Sequence, residues 1–115
     1  MSIEQEFEAS QFRCDVVPER DLVRIVPVGD VDIATAPLVQ REIEGLLDAG
    51  FTRLVLDLRR TTFIDSTGLA VLMQCDQLAR ASDAAFSVIP GSRQVERLLV
   101  VSGVADALTL DSAAS

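Results

Sequence analysis

Hydroxyl and carboxylate side chains gather in three short segments of the chain, and these side chains are the ones that could carry chemistry. They are Asp30, Asp32, Asp65, Ser66, Thr67 and Ser92. A hydroxyl at the start of a helix can cap that helix, and it can also accept a phosphoryl group. Both roles are open for Asp65-Ser66-Thr67, and capping alone would explain these residue types. Gly68 would leave room for a phosphate or a partner to approach Ser66.

The sequence excludes the common kinds of enzyme site. It contains no histidine, so it has neither a histidine-based triad nor a Cys/His zinc site. It also lacks the Gly-x-x-x-x-Gly-Lys and Gly-x-Ser-x-Gly motifs of phosphate-binding loops and serine hydrolases. Its two cysteines, Cys14 and Cys75, lie far apart and in no motif. We therefore expect a protein that is not an enzyme, with no catalytic residue, no metal site and no cofactor.

Apolar periodicity predicts the elements that must position these side chains. Aliphatic and β-branched runs predict strands at residues 12–17, 22–28, 53–58 and 85–89, and a last short strand at 108–110. Helical stripes predict one helix from a Thr35 cap to Gly50, a second over about 67–81, and a third from a Ser92 cap to Gly103. Asp57, inside the third strand, is expected to bond the backbone or cap a helix.

This order of elements predicts a single α/β domain over residues 12–110. Its sheet should be mixed and mostly parallel, with four to five strands, helices packed on it and an antiparallel strand at the N-terminal edge. Residues 1–11 are expected to form a flexible N-terminus, and residues 111–115 a C-terminal tail.

The three polar segments all follow predicted strands. Functional groups of open α/β sheets collect beyond the carboxyl ends of the strands, so residues 29–32, 61–67 and 90–92 are expected to share one rim. A phosphate on Ser66 would add about −1.5 to −2 charge to that rim. It would also meet the positive end of a helix dipole. Phosphorylation would therefore disturb a docked partner more than the fold.

Charge and hydropathy limit the partners. The net charge is −8, which disfavours nucleic acid and anionic membrane surfaces. No apolar run approaches the roughly 18 residues of a membrane span, and the N-terminus lacks the pattern of a signal peptide. We expect a cytoplasmic protein with reduced thiols.

Four segments resemble those of bacterial anti-sigma factor antagonists, which belong to the STAS domain family (sulfate transporter and anti-sigma factor antagonist). Phe63-Ile64-Asp65-Ser66-Thr67-Gly68-Leu69 is similar to the phosphorylation loop of that family. Gly29-Asp30-Val31-Asp32 resembles the turn after its second strand, and Leu54-Val55-Leu56-Asp57-Leu58 its central strand. Residues 95–103, which end in Ser-Gly, resemble its last helix. The resemblance covers about residues 12–110 and implies the STAS fold.

The resemblance also implies a partner-switching function. The unphosphorylated protein would bind an anti-sigma factor that is also a serine kinase of the histidine-kinase-like ATPase fold, and so release a sigma factor. Phosphorylation of Ser66, with Thr67 as the alternative acceptor, would end this binding, and a PP2C-type phosphatase would restore it. Asp32 matches a family aspartate that contributes to kinase contact. The expected partner-binding residues are Asp30, Asp32, Asp65, Ser66, Thr67, Gly68 and Ser92.

A second function remains open for a STAS domain of this kind. The chain could be a constitutive scaffold subunit of a stress-sensing or lipid-transport complex, in which Ser66 is only a helix cap. In either case we expect a monomer or a weak dimer.

Overall fold

The computed structural model describes residues 12–111, in which strands and helices largely alternate. The strands are β1 (Arg13–Glu19), β2 (Leu22–Val31), β3 (Arg53–Asp57), β4 (Thr61–Ile64) and β5 (Ala85–Ile89). The helices are α1 (Ala36–Asp48), α2 (Ser66–Ala81), α3 (Arg93–Val101) and α4 (Val104–Ala107). The predicted N-terminus 1–11, and residues 112–115 of the predicted tail, lie outside the described residues. Within residues 12–111, no helix is long and apolar enough to span a bilayer.

The five strands form one mixed sheet. β1 and β2 make an antiparallel hairpin in which Glu19 is paired with Leu22, and β1 lies at the edge. β2, β3 and β5 follow in that order and are parallel. Beyond Ile25, where its pairing with β3 ends, β2 continues and pairs in parallel with β4. The predicted fold class, with its antiparallel N-terminal edge strand, is confirmed.

The helices cover one face of the sheet. Alternate residues of the inner strands point into the core on this face, namely Val23, Ile25, Leu54, Leu56, Phe86 and Val88. Residues from α1, α2 and α3 join the same core, including Val39, Ile43, Val71, Leu72, Val95 and Leu99. Right-handed crossovers that move along the sheet in one direction place successive helices on the same side. We call this side the helix-covered face.

The strand boundaries differ from the predictions where tertiary pairing decides them. The sequence predicts no strand at residues 61–64, but β4 forms there because the end of β2 extends beyond β3 and offers it a free edge. For the same reason β2 runs to Val31 and not to residue 28. β1 continues through Pro18 to Glu19, which an edge strand tolerates because the missing N–H of proline can face away from the sheet.

The C-terminal part also departs from the prediction. The short strand expected at residues 108–110 is reduced to a single parallel bridge between Val88 and Leu110. Gly103 has a left-handed backbone (φ +83°) and ends the α3 region as predicted, but a further turn of helix, α4, follows it. Four residues are too few to show a helical period, so the sequence carries no signal for α4.

Candidate functional site

Asp65, between β4 and α2, holds the N-terminus of α2. Its backbone is extended (φ −107°, ψ −174°), and its carboxylate Oδ1 accepts a hydrogen bond from the Gly68 N–H at 3.0 Å. Its carbonyl accepts a hydrogen bond from the Leu69 N–H at 2.9 Å. Asp65 is therefore the N-cap residue of α2, and the cap requires no hydroxyl from Ser66.

Ser66 is the first residue of α2, and it is exposed. Its hydroxyl makes no hydrogen bond with any other residue in the range 12–111. The next residue, Thr67, is half-buried. The N–H groups of Ser66 and Thr67 have no acceptor within that range, as is usual at a helix start. The structure thus leaves one accessible hydroxyl at the positively polarised end of a helix.

Gly68 is buried between α2 and the two strands beneath it. A Cβ atom on Gly68 would lie 2.6 Å from Ile64 Cγ1 and 2.6 Å from the Val31 carbonyl oxygen. The space that the glycine leaves is therefore already filled by the protein itself. Gly68 serves the close packing of α2 on β2 and β4, and not the approach of a phosphate or a partner.

Asp30 and Asp32 lie at the end of β2, and nearby donors hold both carboxylates. Asp30 Oδ1 accepts a hydrogen bond from the Thr62 hydroxyl at 2.5 Å, which joins β2 to β4. Asp32 Oδ1 accepts hydrogen bonds from the N–H groups of Ala34 and Thr35 at 3.0 and 3.2 Å, and so fixes the turn before α1. Thr35 is the N-cap residue of α1, as predicted, but its hydroxyl donates to the Asp30 carbonyl at 2.6 Å and makes no cap hydrogen bond.

The end of β2 and the start of α2 are in direct contact. The Asp65 N–H donates to the Val31 carbonyl at 3.2 Å, so residues 29–32 and 61–68 lie side by side. Ser92, after β5, caps α3 by accepting a hydrogen bond from the Val95 N–H at 3.3 Å. No hydrogen bond between described residues links Ser92 to the Ser66 segment. The structure therefore brings the first two polar segments together and gives Ser92 the role of a helix cap.

Two exposed apolar side chains lie in or next to the two segments that the Asp65–Val31 hydrogen bond joins, and sequence reasoning missed both. Ile33, in the turn after β2, is 74% exposed, and Phe63, on β4, is 44% exposed. Aromatic side chains are enriched at protein-binding surfaces. The sequence signal for this exposed surface is Phe63 itself, because it is a large apolar residue in a segment where the periodicity predicts neither a strand nor a helix.

Asp57, at the end of β3, has a buried carboxylate. Its Oδ2 lies 3.1 Å from Arg24 Nη1 and 2.7 Å from Arg59 Nη2, and its Oδ1 accepts a hydrogen bond from the Arg59 backbone N–H at 3.0 Å. Burial alone would raise the pKa of this carboxyl, but the hydrogen bonds from Arg59 and Arg24 outweigh burial and hold the pKa below its usual value. The expected backbone-bonding role of Asp57 is confirmed, and the ion pairs with Arg24 tie β3 to β2.

A family model for the STAS domain matches residues 16–114. This range includes every element from β2 to α4 and the whole Ser66 segment. The chain belongs to the STAS domain family. No curated protein matches it.

Solved structures of anti-sigma factor antagonists share the fold of this STAS domain. One from Mycobacterium paratuberculosis has a TM-score of 0.77 at 21% identity, over 86% of this chain and 84% of that chain. A putative anti-sigma factor antagonist from Thermotoga maritima has a TM-score of 0.75 at 23% identity, over 90% of this chain and 88% of that chain. The Bacillus cell fate determinant SpoIIAA in its phosphorylated form has a TM-score of 0.65 at 17% identity, over 89% and 92%.

The four segments that carry the resemblance lie at strand ends and in the last long helix of this STAS domain. Gly29–Asp32 forms the end of β2 and the turn after it, Leu54–Leu58 lies in and just after β3, and Phe63–Leu69 spans the junction of β4 and α2. Residues 95–103 form most of α3 and its end. At identities of 17–23%, the likeness to these solved structures shows a shared fold.

Proposed function

We propose that this STAS domain is an anti-sigma factor antagonist that is switched off by phosphorylation of Ser66. The unphosphorylated form binds an anti-sigma factor that is also a serine kinase, and this binding releases a sigma factor. The observation that carries the proposal is the exposed Ser66 hydroxyl at the start of α2, where Asp65 already supplies the cap. A serine that the cap does not need is available for modification.

The difference in exposure supports Ser66 over Thr67 as the acceptor. A kinase must bring the attacking hydroxyl in line with the γ-phosphate, so the hydroxyl has to be accessible. Ser66 is exposed, whereas Thr67 is half-buried. The Ser66 hydroxyl also makes no hydrogen bond with another residue of the range 12–111 that would have to be broken first.

The local electrostatics favour a switch in binding over a loss of fold. A phosphoserine at the first position of α2 meets the helix dipole and the unpaired N–H groups of Ser66 and Thr67, so the helix tolerates it. The new charge of about −1.5 to −2 also lies beside the Asp65 carboxylate. A partner that fits the neutral surface must then desolvate a dianion without a counter-charge, which costs several kcal/mol.

The exposed apolar side chains supply a docking surface for the partner. Phe63 lies three residues before Ser66, and Ile33 lies two residues after Val31, whose carbonyl bonds the Asp65 N–H, so the partner would bury these side chains together with the hydroxyl. The proposed partner is a serine kinase of the histidine-kinase-like ATPase fold, and a PP2C-type phosphatase removes the phosphate. In this role the chain is a substrate and not an enzyme.

The direct test is phosphorylation of the purified protein. The full chain is incubated with its cognate anti-sigma kinase and ATP, and the phosphate is located by mass spectrometry. We expect a single phosphate on Ser66, which remains in a Thr67→Val variant and is absent from Ser66→Ala. A phosphate that persists in Ser66→Ala would move the acceptor to Thr67, and no phosphate on either residue would contradict the proposal.

A further inference from the structure

β1 lies at the edge of the sheet, and its outer side is paired with no strand of residues 12–111. Along an antiparallel strand, the backbone N–H and C=O groups of successive residues point alternately toward the paired strand and away from it. Glu19 and Leu22 close a hairpin with a two-residue loop, so Glu19 bonds β2 and its neighbour Pro18 faces outward. By the same alternation Val16 and Cys14 face outward, and their backbone groups have no partner in the described part of the chain.

We propose that this outer edge of β1 binds β1 of a second copy of the chain in an antiparallel arrangement. Val16 faces Val16 of the second copy, so each Val16 N–H donates to the other Val16 carbonyl. In this register Cys14 faces Pro18 of the second copy, and each Cys14 N–H donates to a Pro18 carbonyl. The pairing therefore forms about four backbone hydrogen bonds between the copies. Pro18 has no N–H, but this register uses only its carbonyl.

The charged side chains of β1 select this register. It places Arg13 opposite Glu19 of the second copy, and these side chains are 55% and 45% exposed. Arg13 contacts Asp15 only through Nε, and Glu19 contacts Arg24 only through Oε2. The Arg13 Nη groups and Glu19 Oε1 have no partner within residues 12–111, so the new ion pair breaks neither contact.

The neighbouring register is disfavoured by like charges. A shift that centres the pairing on Asp15 would place the two Asp15 carboxylates directly opposite each other, which is destabilising. Proline and charged side chains on an edge strand discourage pairing with other strands in general. On β1 these features therefore leave a second copy in the Val16-centred register as the matching partner.

The size of the contact predicts a weak dimer. β1 has seven residues, whereas a stable interface of standard size has about 20–30 residues a side. The side chains of Cys14 and Val16 are half-buried against the core, and the pairing covers part of what remains exposed. The dimer therefore forms at high protein concentration. This proposal is independent of the proposed switch at Ser66.

Amide hydrogen exchange, combined with sedimentation equilibrium of the full chain, tests where the copies meet. We expect a reversible dimer by about 1 mM. When about nine-tenths of the chains are dimeric, the amides of Cys14 and Val16 should exchange about tenfold more slowly than in the monomer, because only the monomer leaves them open. The amides of Asp15 and Val17, which bond β2, should be protected at every concentration. A chain that stays monomeric at about 1 mM, or a dimer in which Cys14 and Val16 exchange as in the monomer, would overturn the proposal.

An exchange of charge between Arg13 and Glu19 tests the register. Arg13→Glu places a carboxylate opposite Glu19 of the second copy, and Glu19→Arg places a guanidinium opposite Arg13, so each variant alone should be monomeric where the parent is a dimer. An equimolar mixture should restore the dimer, because the mixed pair has opposite charges at both contacts. Circular dichroism that matches the parent shows that both variants are folded.

The matched controls are Arg93→Glu and Glu96→Arg on α3. They make the same changes of charge at exposed residues that have no ion pair among residues 12–111, and each should dimerise like the parent. Dimers of Arg13→Glu or Glu19→Arg alone that are as strong as the parent's would overturn the proposal. A mixture of these two variants that stays monomeric would overturn it as well.

Discussion

A polar residue at the start of α2 can cap the helix or accept a phosphate, and replacing Asp65 or Ser66 by alanine separates these two roles. Asp65 accepts the hydrogen bond from the Gly68 N–H at 3.0 Å, whereas the Ser66 hydroxyl bonds no other residue within 12–111. We therefore expect the stability of the helix to depend on Asp65, and the hydroxyl of Ser66 to be removable without loss.

The magnitudes follow from these contacts. Loss of an N-cap side chain costs about 0.5–2 kcal/mol, and loss of a carboxylate beside the positive end of the helix adds about 0.3–1 kcal/mol. We therefore expect Asp65→Ala to cost about 1–3 kcal/mol. Asp65→Asn keeps a capping oxygen and should lose only the smaller, electrostatic part. Ser66→Ala should stay within about 0.5 kcal/mol of the parent protein, as do most changes at exposed sites without contacts.

Thermal unfolding followed by far-ultraviolet circular dichroism measures these differences, since the chain has no Trp or Tyr for intrinsic fluorescence. For a domain of this size, 1 kcal/mol shifts the Tm by about 4 °C. Asp65→Ala should lower the Tm by about 4–12 °C and Ser66→Ala by less than about 2 °C. A drop for Ser66→Ala as large as that for Asp65→Ala would refute the reasoning, because Ser66 would then be a structural cap.

Three further substitutions have expected outcomes. Gly68→Ala should destabilise the fold by about 1–3 kcal/mol in urea unfolding, because the added Cβ meets the backbone beneath α2. The matched control is Gly45→Ala, whose added Cβ has no atom within 4 Å and which should stabilise the fold by up to about 1 kcal/mol. Phe63→Ala should weaken binding of the anti-sigma kinase about tenfold in calorimetry, and Phe51→Ala, exposed at the opposite end of the sheet, should not. The pKa of the Asp57 carboxyl is lowered in the fold from about 3.8, so its charge stabilises the fold above that pH, and this contribution is lost as the pH falls through the folded pKa. The difference in the free energy of unfolding between the parent protein and Asp57→Asn should therefore shrink below about pH 4. A difference that stays constant down to about pH 2 would contradict the ion pairs.

The fold was predictable because its main elements carry strong periodic signals. The continuous apolar run at residues 54–58 is typical of a strand that is buried in a parallel sheet, and β3 lies there between β2 and β5. β4 carried no such signal. It consists of four residues with two threonines, and it forms because β2 extends beyond β3, past a register shift between Gly29 and Asp30. That extension is a tertiary feature that no local pattern encodes.

The candidate site was predictable as a place, but not in its details. The rule for carboxyl ends of strands located the Ser66 segment beside the end of β2, as the hydrogen bond from Asp65 to Val31 shows. It could not decide which of three adjacent polar residues caps α2, because a shift of one residue in the helix start changes the answer. Exposure of Phe63 depends on which strands cover β4, so it too required the structure.

The central claim is that charge on Ser66 controls partner choice, and one binding measurement tests it most directly. The affinity of the full chain for the proposed anti-sigma kinase is measured by calorimetry at fixed salt, with Ser66 unmodified and with Ser66 fully phosphorylated. Burying an unpaired charge in an interface costs about 2–5 kcal/mol, so we predict that phosphorylation weakens binding at least about thirtyfold. Equal affinity of the two forms would contradict the switch and would favour a constitutive scaffold subunit of a stress-sensing or lipid-transport complex.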